Sequence, residues 1–211
     1  MGSLTKEHWE KVYETKSSNE LSWFQSYPKT SVELISGLNL PKTAAIIDVG
    51  GGDGRLVGAL LKQGFVNLHV LDISARAIER AKARLRGKAD GVIWIVSDIT
   101  EFSTEIRFDL WHDRAAFHFL VDETQIGKYI ETANKNIREG GCLMIGAFSE
   151  KGPKRCSGLD VRRYSETAMA ERLKGGFEKI RCVEEDHTTP SGACQNFLFC
   201  GFMRRGFKNG T

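Results

Sequence analysis

Four glycines occur within five residues at the point where an apolar run gives way to an amphipathic one. The segment from Asp48 to Gly54 reads DVGGGDG, and its glycines are Gly50, Gly51, Gly52 and Gly54. Glycine allows a tight turn and lets the backbone approach a ligand that a Cβ atom would exclude. The free N–H groups at the start of the following helix favour a polar or anionic ligand there. The segment therefore predicts a ligand-binding turn between a strand and a helix.

The spacing of these glycines separates two classes of nucleotide cofactor. The dinucleotide fingerprint G-x-G-x-x-G, counted from Gly50, requires glycine at position 55, which is Arg55. Counted from Gly52, it requires glycine at position 57, which is Val57. The segment instead has the form D-x-G-x-G-x-G, with Asp48 at the end of the preceding strand. This spacing disfavours a nicotinamide cofactor.

Two more carboxylates follow the next two predicted strands. Asp72 ends the second strand, 24 residues after Asp48, where a carboxylate can accept hydrogen bonds from both ribose hydroxyls. Asp98 follows the third strand in the stretch VSDI. A single acid after a strand is usually a solvated loop residue, but that explanation does not suit three acids after three successive strands. The acids indicate a nucleoside-binding edge of a sheet.

The elements that would position these residues alternate between strands and helices. Five apolar runs predict strands, at residues 44–49, 67–72, 92–96, 108–112 and 141–148. Helical patterns occur between them, at residues 55–63, 74–86 and 122–137. Such alternation is typical of a parallel sheet with helices on both faces, in a doubly wound α/β arrangement. After a helix near 165–173, strand-like runs at 177–183 and 195–203 flank a Pro190–Gly192 turn and predict an antiparallel hairpin.

The glycine segment and the acids that follow it resemble the class I S-adenosylmethionine-dependent methyltransferases, over nearly the whole chain from about Ala44. The resemblance implies one doubly wound, mostly parallel seven-stranded sheet of order 3-2-1-4-5-7-6, in which strand 7 is antiparallel. It implies that the glycines lie against the methionine part of S-adenosyl-L-methionine, that Asp48 helps to hold its amino group and that Asp98 bonds the adenine amino group. S-adenosyl-L-homocysteine would be the product. The expected cofactor-binding residues are Trp23, Asp48, Gly50, Gly51, Gly52, Gly54, Asp72, Ile73, Asp98, Ile99 and Asp113.

The fourth predicted strand runs into residues that could act on a methyl acceptor. In the class this strand ends beside the transferable methyl group, so the expected catalytic residues are His112, Asp113, Arg114 and His118. The stretch from Asp113 to His118 resembles the Asp-Lys-Gly-Thr-Phe-Asp stretch of some eukaryotic seven-strand lysine methyltransferases. Arg114 replaces the lysine and His118 the final acid, which counts against a lysine acceptor. An unperturbed histidine titrates near neutrality, so each of the two is either a general base or a buried structural residue.

We expect a single domain over 1–211, in which the segments flanking the core shape the acceptor side. Residues 1–43 would form a helical lid, 44–148 the cofactor-binding core, and 149–211 a substrate loop, a helix and the terminal β-hairpin. In the lid, Trp23 and Phe24 either contact the cofactor or pack beneath a lid helix. Four basic residues of the loop either attract an anionic acceptor or face solvent, namely Lys154, Arg155, Arg162 and Arg163.

Composition and charge limit the partners. A net charge of +3 with 27% charged residues is less basic than a dedicated nucleic-acid binder requires. The densest basic run is interpreted as a solvated helix face, comprising Arg76, Arg80, Lys82, Arg84, Arg86 and Lys88. We expect no membrane span and no secretory signal. The five cysteines form no CxxC pair or metal-like cluster, so we expect free thiols, no metal and a reduced, cytoplasmic setting.

The sequence thus predicts an S-adenosylmethionine-dependent methyltransferase that acts by in-line displacement on a small molecule or a protein side chain. Two other classes stay open: a non-catalytic, cofactor-binding partner subunit and an NAD-dependent oxidoreductase. The oligomeric state is not predicted.

Overall fold

Seven strands form one sheet in the computed structural model, which describes residues 2–206 and, for residues 2–4, the backbone alone. The strands of this sheet are β1 (Ile46–Val49), β2 (Leu68–Asp72), β3 (Val92–Val96), β4 (Phe108–Arg114), β5 (Ile137–Phe148), β8 (Phe177–Thr188) and β9 (Cys194–Arg204). Two short strands, β6 (Arg155–Cys156) and β7 (Leu159–Asp160), pair separately. The helices are α1 (Gly2–Thr15), α2 (Lys29–Ser36), α3 (Arg55–Lys62), α4 (Ala75–Leu85), α5 (Glu123–Asn136) and α6 (Glu166–Leu173).

The order of the sheet is β3-β2-β1-β4-β5-β9-β8, which confirms the predicted order. β1 pairs in parallel with β2 and β4, β3 is parallel to β2, and β5 is parallel to β4. β9 is antiparallel to both β5 and β8. Within this sheet, β8 and β9 are joined as a hairpin, because their 189–193 turn leaves no room for a crossover helix.

Apolar residues of the central strands are buried on both faces of the sheet, as a parallel sheet between two helical layers requires. One face packs against α5 and α6, where Ile126, Tyr129 and Met169 are fully buried. The other packs against α2, α3 and α4, through residues such as Ile35 and Val57. The carboxyl ends of the parallel strands are thus held between two layers of helices.

Some strand boundaries differ from the sequence-based ones. β5 begins at Ile137 rather than at 141, because Ile137 pairs with Phe108 and the register then shifts before Leu110 pairs with Cys142. Residues 138–140 are arginine, glutamate and glycine, so this first part of the strand shows no run of apolar residues. The β6–β7 hairpin was not predicted, since two-residue strands are too short to show a periodicity.

The prediction that all cysteines are free is wrong for two of them. Cys182 and Cys200 form a disulfide between β8 and β9, with their Cα atoms 4.1 Å apart. The register of the hairpin places these residues directly opposite each other. Cys142, Cys156 and Cys194 are free.

Within residues 2–206, no helix is both long and apolar enough to cross a membrane. The same part of the chain contains no group of three His, Cys, Asp or Glu side chains arranged to hold a metal ion.

Candidate functional site

The glycine segment forms the turn between β1 and α3 that the sequence predicts. Gly50 and Gly52 have φ angles of 65° and 54°, in the left-handed region that favours glycine. Space also requires glycine, because a Cβ atom on Gly50 would lie 2.6 Å from the Ala116 Cβ. A Cβ atom on Gly52 would lie 2.7 Å from the Tyr13 hydroxyl. The turn is therefore packed between α1 and the chain that follows β4.

A cleft of about 920 Å³, here called the nucleoside cleft, lies along the carboxyl ends of β1, β2 and β3. Trp9 and Tyr13 of α1 also line it. Open α/β sheets bind nucleotides at this edge. The structure brings together here six residues of the predicted cofactor set: Trp23, Gly50, Asp72, Ile73, Asp98 and Ile99.

The two acids of the nucleoside cleft are held in place by hydrogen bonds from the backbone. Asp72 accepts from the Gly52 N–H at Oδ2 and from the Ser74 N–H at Oδ1, both at 2.9 Å. Burial raises the pKa of Asp72 to about 6, against the opposing effect of these donors. Each oxygen keeps a lone pair that can accept a ribose hydroxyl. Asp98 Oδ1 accepts from the Thr100 N–H and hydroxyl at 2.9 and 2.8 Å, which fixes its carboxylate at the cleft.

A second cleft of about 550 Å³, here called the acceptor cleft, adjoins the first. Trp23, Gly50 and Arg114 line both clefts and mark their junction. Three more residues of the predicted cofactor set line the acceptor cleft, namely Asp48, Gly51 and Gly52. The junction is therefore where a donor in one cleft would meet an acceptor in the other.

Three polar side chains form a continuous hydrogen-bonded chain in the wall of the acceptor cleft. Asp48 and His112 are register partners on β1 and β4, and His112 Nδ1 lies 2.8 Å from Asp48 Oδ1. His112 Nε2 lies 2.9 Å from Ser31 Oγ on α2. An ionised Asp48 requires the proton on Nδ1, so Nε2 accepts from the Ser31 hydroxyl. The Ser31 oxygen keeps lone pairs for a proton from the cleft.

Sequence reasoning missed Ser31, and no motif signals it. The residue lies in a short amphipathic helix, is only 1% exposed, and meets His112 across a separation of 81 residues. A serine on the apolar face of a helix is the sole hint.

The alternation of side chains along β4 divides the predicted catalytic residues between two faces of the sheet. His112 and Arg114 point toward the acceptor cleft. Asp113 points the other way and is fully buried, where it accepts the N–H groups of Ala116 and Phe117 and the Tyr129 hydroxyl. The structure thus places Asp113 outside the lining of both clefts.

His118 is likewise enclosed away from both clefts. It is fully buried, and its Nδ1 accepts the Phe148 N–H at 3.3 Å. Burial and the nearby Arg114 charge lower its pKa to about 3, so it is neutral at ordinary pH. It lines neither cleft in this structure. Gly54 is also outside the clefts, since a Cβ atom there would meet Ala81 of α4 at 2.9 Å.

The N-terminal segment covers the junction of the clefts through aromatic contacts. The Trp23 ring lies 5.6 Å from Trp9, which lies 4.9 Å from Phe119. Glu10 anchors α1 by accepting hydrogen bonds from the Ala75 and Arg76 N–H groups. Trp23 thus lines both clefts and also packs beneath α1.

The basic residues singled out in the sequence are mostly committed to partners within the protein. In the loop, Arg155 pairs with Asp160, Arg162 pairs with Glu123, and Arg163 donates to backbone carbonyls. On α4, Arg76 pairs with Glu10 and Glu14, and Arg80 and Arg84 donate to carbonyls. These contacts support the interpretation of both groups of basic residues as structural or solvated surface.

Cys156 lines the nucleoside cleft, and burial raises the pKa of its thiol.

Known proteins share this chain's sequence pattern and its fold. Residues 46–141 match the family model for a methyltransferase domain. Nodulation protein S of Bradyrhizobium diazoefficiens is 25% identical over 164 residues, spanning 77% of this chain and 74% of that protein. EEF1A lysine methyltransferase 2 of Danio rerio is 26% identical over 192 residues, spanning 84% and 76%. The 1,6-didemethyltoxoflavin-N1-methyltransferase of Burkholderia thailandensis, solved with that compound and S-adenosylhomocysteine, has a TM-score of 0.77 at 19% identity over 97% and 88% of the two chains.

The sheet order and the glycine turn agree with the class I S-adenosylmethionine-dependent methyltransferases that the sequence resembles, and residues 46–141 match a methyltransferase domain. The chain is accordingly a methyltransferase, which counts against the oxidoreductase alternative, and S-adenosyl-L-methionine is the cofactor that the resemblance implies. The residues fit this cofactor. The glycine turn leaves no room for a Cβ atom, Asp72 offers acceptors to a ribose, and Ile73 and Ile99 offer apolar contacts to a base.

Proposed function

We propose that this enzyme methylates a small molecule bound in the acceptor cleft, and that the Ser31–His112–Asp48 chain removes the proton from the atom that is methylated. The observation that carries the proposal is this hydrogen-bonded chain, whose links of 2.9 and 2.8 Å end in the wall of the cleft. S-adenosylmethionine supplies an activated methyl group when bound. The protein supplies position and excludes water, which is worth about 7–11 kcal/mol in well-oriented reactions.

The proton moves in two linked transfers. The Ser31 oxygen accepts the proton of the acceptor while its own hydroxyl proton passes to His112 Nε2. The resulting imidazolium is stabilised by Asp48, whose carboxylate already accepts its Nδ1–H. The three residues act as one base, with Ser31 at the end that lines the cleft.

The same three residue types form the triad of serine hydrolases, which would be a second kind of activity. Such an activity also needs free N–H donors for an oxyanion. The Gly50 and Gly51 N–H groups donate to the Leu71 carbonyl, and the Gly52 N–H donates to Asp72. With these donors occupied, proton removal suits the geometry better than acyl transfer.

The residues of the nucleoside cleft are assigned to parts of the cofactor on the basis of their chemistry. We propose that Asp72 accepts the ribose hydroxyls, that Asp98 accepts the adenine amino group, and that Ile73 and Ile99 flank the adenine ring. Gly50, Gly51 and Gly52 would then lie against the methionine part, which would reach from the junction into the adjoining side of the acceptor cleft. Asp48 would hold the amino group through Oδ2, since Oδ1 is occupied by His112.

A small acceptor is favoured by the enclosure of the junction under Trp9 and Trp23. The second candidate is a protein lysine, favoured by the likeness to the lysine methyltransferase of Danio rerio. His118 stands where the lysine methyltransferase stretch has an acid, and it does not face the cleft.

We also propose a cytoplasmic location. The three free cysteines are compatible with it, whereas the Cys182–Cys200 disulfide is not a feature it predicts.

The test is a transfer assay with methyl-labelled S-adenosylmethionine against pools of small amines, phenols and thiols, and against protein fractions. We expect label in the small-molecule pools. With the accepting pool in hand, His112→Asn and Ser31→Ala should lower kcat about 10²–10⁴-fold, with S-adenosylmethionine affinity changed less than about threefold. Raising the pH should partly restore the rate, because hydroxide then removes the acceptor proton.

His69→Asn is the matched control, since His69 is equally buried on β2 but contacts Asn67 rather than either cleft. Its kcat should match that of the unaltered enzyme. Label confined to protein fractions would contradict the small-molecule assignment. A His112→Asn variant with full activity would contradict the proton-removal chain.

A further inference from the structure

Arg114 has a guanidinium group whose hydrogen-bonding capacity is largely unused. Its Nη1 donates to the Trp23 carbonyl at 3.0 Å, and the group stacks over the Phe197 ring at 4.7 Å from the centroid. Its Nε and Nη2 are buried and have no hydrogen-bond partner among the residues that the structure describes. Buried donors without partners are rare in native proteins, and each one needs an explanation. Arg114 lines both clefts at their junction, so a bound molecule can provide the partner.

The two unpartnered nitrogens lie on the same edge of the guanidinium plane. The N–H bonds of Nε and Nη2 are parallel there and match the two oxygens of a carboxylate. Resting on the function proposed above, we propose that Arg114 binds a carboxylate of the methyl acceptor, so that the substrates are carboxylic acids methylated at a nearby nitrogen, oxygen or sulfur. The acceptor would span the cleft from Arg114 to the Ser31 hydroxyl.

The charges around the cleft leave Arg114 available for such a group. Arg55, the other arginine of the acceptor cleft, is already paired with Asp53 at 3.1 Å. The carboxylate of Glu185 acts on Arg114 electrostatically, but it forms no ion pair with it, and its Oε1 accepts from Gln25. Burial lowers the pKa of Arg114 to about 10, which still leaves it charged at neutral pH. A partly desolvated cation attracts an anion more strongly than a solvated one.

One hydrogen bond ties Arg114 to the covering segment, through the Trp23 carbonyl. The Nε–Nη2 edge is buried in this structure, so the proposal requires the side chain to turn this edge toward the cleft. Binding of a carboxylate would therefore involve the segment that covers the junction.

Binding measurements on the protein saturated with S-adenosylhomocysteine test the proposal without turnover. The probes are three acid and amide pairs of equal shape: acetate and acetamide, benzoate and benzamide, and 4-aminobenzoate and 4-aminobenzamide. At least one acid should bind about tenfold or more tightly than its amide, the difference expected for charge-assisted hydrogen bonds. Arg114→Met should abolish this preference, and Arg107→Met should retain it. Arg107 is the matched control, because it lies at the opposite end of β4 and outside both clefts.

A carboxylate in this region has a second source, the methionine part of the cofactor. Titrations with S-adenosylhomocysteine and with 5′-methylthioadenosine, which lacks that part, separate the two. We expect Arg114→Met to retain the preference for S-adenosylhomocysteine, because the proposed ligand is the acceptor. Loss of that preference in the variant would assign Arg114 to the cofactor and overturn the proposal.

Arg114→Lys provides a second variant for the case in which the methionine variant fails to fold. Lysine keeps the charge but loses the planar edge, so the acid preference should fall at least threefold while thermal unfolding changes little. Equal binding of every acid and its amide to the unaltered protein would overturn the proposal. Failure of the proton-removal chain would appear only in turnover, so the two ideas fail separately.

Discussion

Replacing Asp113 by asparagine tests whether this residue supports the fold rather than the chemistry. Its Oδ1 accepts the Ala116 N–H at 3.0 Å and the Phe117 N–H at 3.1 Å, while Oδ2 accepts the Tyr129 hydroxyl at 2.9 Å. An amide nitrogen at the Oδ2 position would face that hydroxyl with a donor. The hydroxyl already accepts from Trp111 Nε1 at 3.1 Å, so its own proton would have no acceptor. The opposite amide orientation would set the nitrogen against the backbone donors instead.

Either orientation leaves at least one buried donor unsatisfied, at a cost of about 1–3 kcal/mol. Burial raises the pKa of Asp113 to about 6, so the asparagine also avoids part of the cost of a buried charge. We expect a net loss of about 1–3 kcal/mol in the free energy of unfolding. For a chain of this length the melting temperature should fall by about 3–10 °C. Cofactor affinity and kcat, corrected for the folded fraction, should change less than about threefold.

Urea unfolding, thermal melts and calorimetric titration of S-adenosylmethionine give these quantities. Adding Tyr129→Phe to Asp113→Asn removes the hydroxyl that has no acceptor. The double variant should therefore be more stable, by about 1 kcal/mol, than the sum of the two single changes predicts. An unaltered melting temperature together with a hundredfold loss of affinity or kcat would refute the structural assignment and restore the catalytic one.

Three further changes have defined outcomes. Gly52→Ala should weaken S-adenosylmethionine binding about tenfold or more by calorimetry, because φ is 54° and the new Cβ would lie 2.7 Å from the Tyr13 hydroxyl. Gly87→Ala is the control and should not weaken binding, because the space around Gly87 is open. Cofactor affinity should fall by up to about tenfold per pH unit below pH 6, because the Asp72 carboxylate then takes up a proton. The Asp72→Asn variant should bind the cofactor weakly, and its affinity should not change with pH in this range. In the folded protein His118 has a pKa of about 3, which is below its value in the unfolded chain. The neutral histidine therefore contributes to the free energy of unfolding above pH 6.5, and about 4–5 kcal/mol of this contribution is lost as the pH falls toward 3. Melts of His118→Phe should lack that part of the acid destabilisation, and an identical pH profile would contradict this account.

The sheet and the nucleoside cleft could be predicted from sequence because their signals are local. Strands alternating with helices define the parallel order, and an acid at the end of each of three strands falls on one edge of the sheet. Asp72 and Asp98 indeed line one cleft with Gly50. The short C-terminal turn indicated the antiparallel hairpin in the same way.

The acceptor side depends on contacts that sequence order does not reveal. Ser31 reaches His112 only because α2 packs on the face of β4 opposite to α5. Alternation along β4 already implies that Asp113 faces away from His112 and Arg114, but which face is the cleft depends on the packing of the helices. The Cys182–Cys200 disulfide required the register of the hairpin, which an apolar pattern does not define to one residue.

Arg84 of α4 reaches the glycine segment from behind, where its Nε donates to the Asp53 carbonyl at 3.0 Å and its Nη2 to the Gly54 carbonyl. These bonds, together with those at the N–H groups of the turn, order the segment before any cofactor arrives. The loss of conformational entropy is then borne by folding rather than by binding, which is how preorganised sites gain affinity. Arg84 lines neither cleft but contributes to this order, so we expect changes at the face of α4 that meets the turn to alter cofactor affinity while every contacting side chain stays the same.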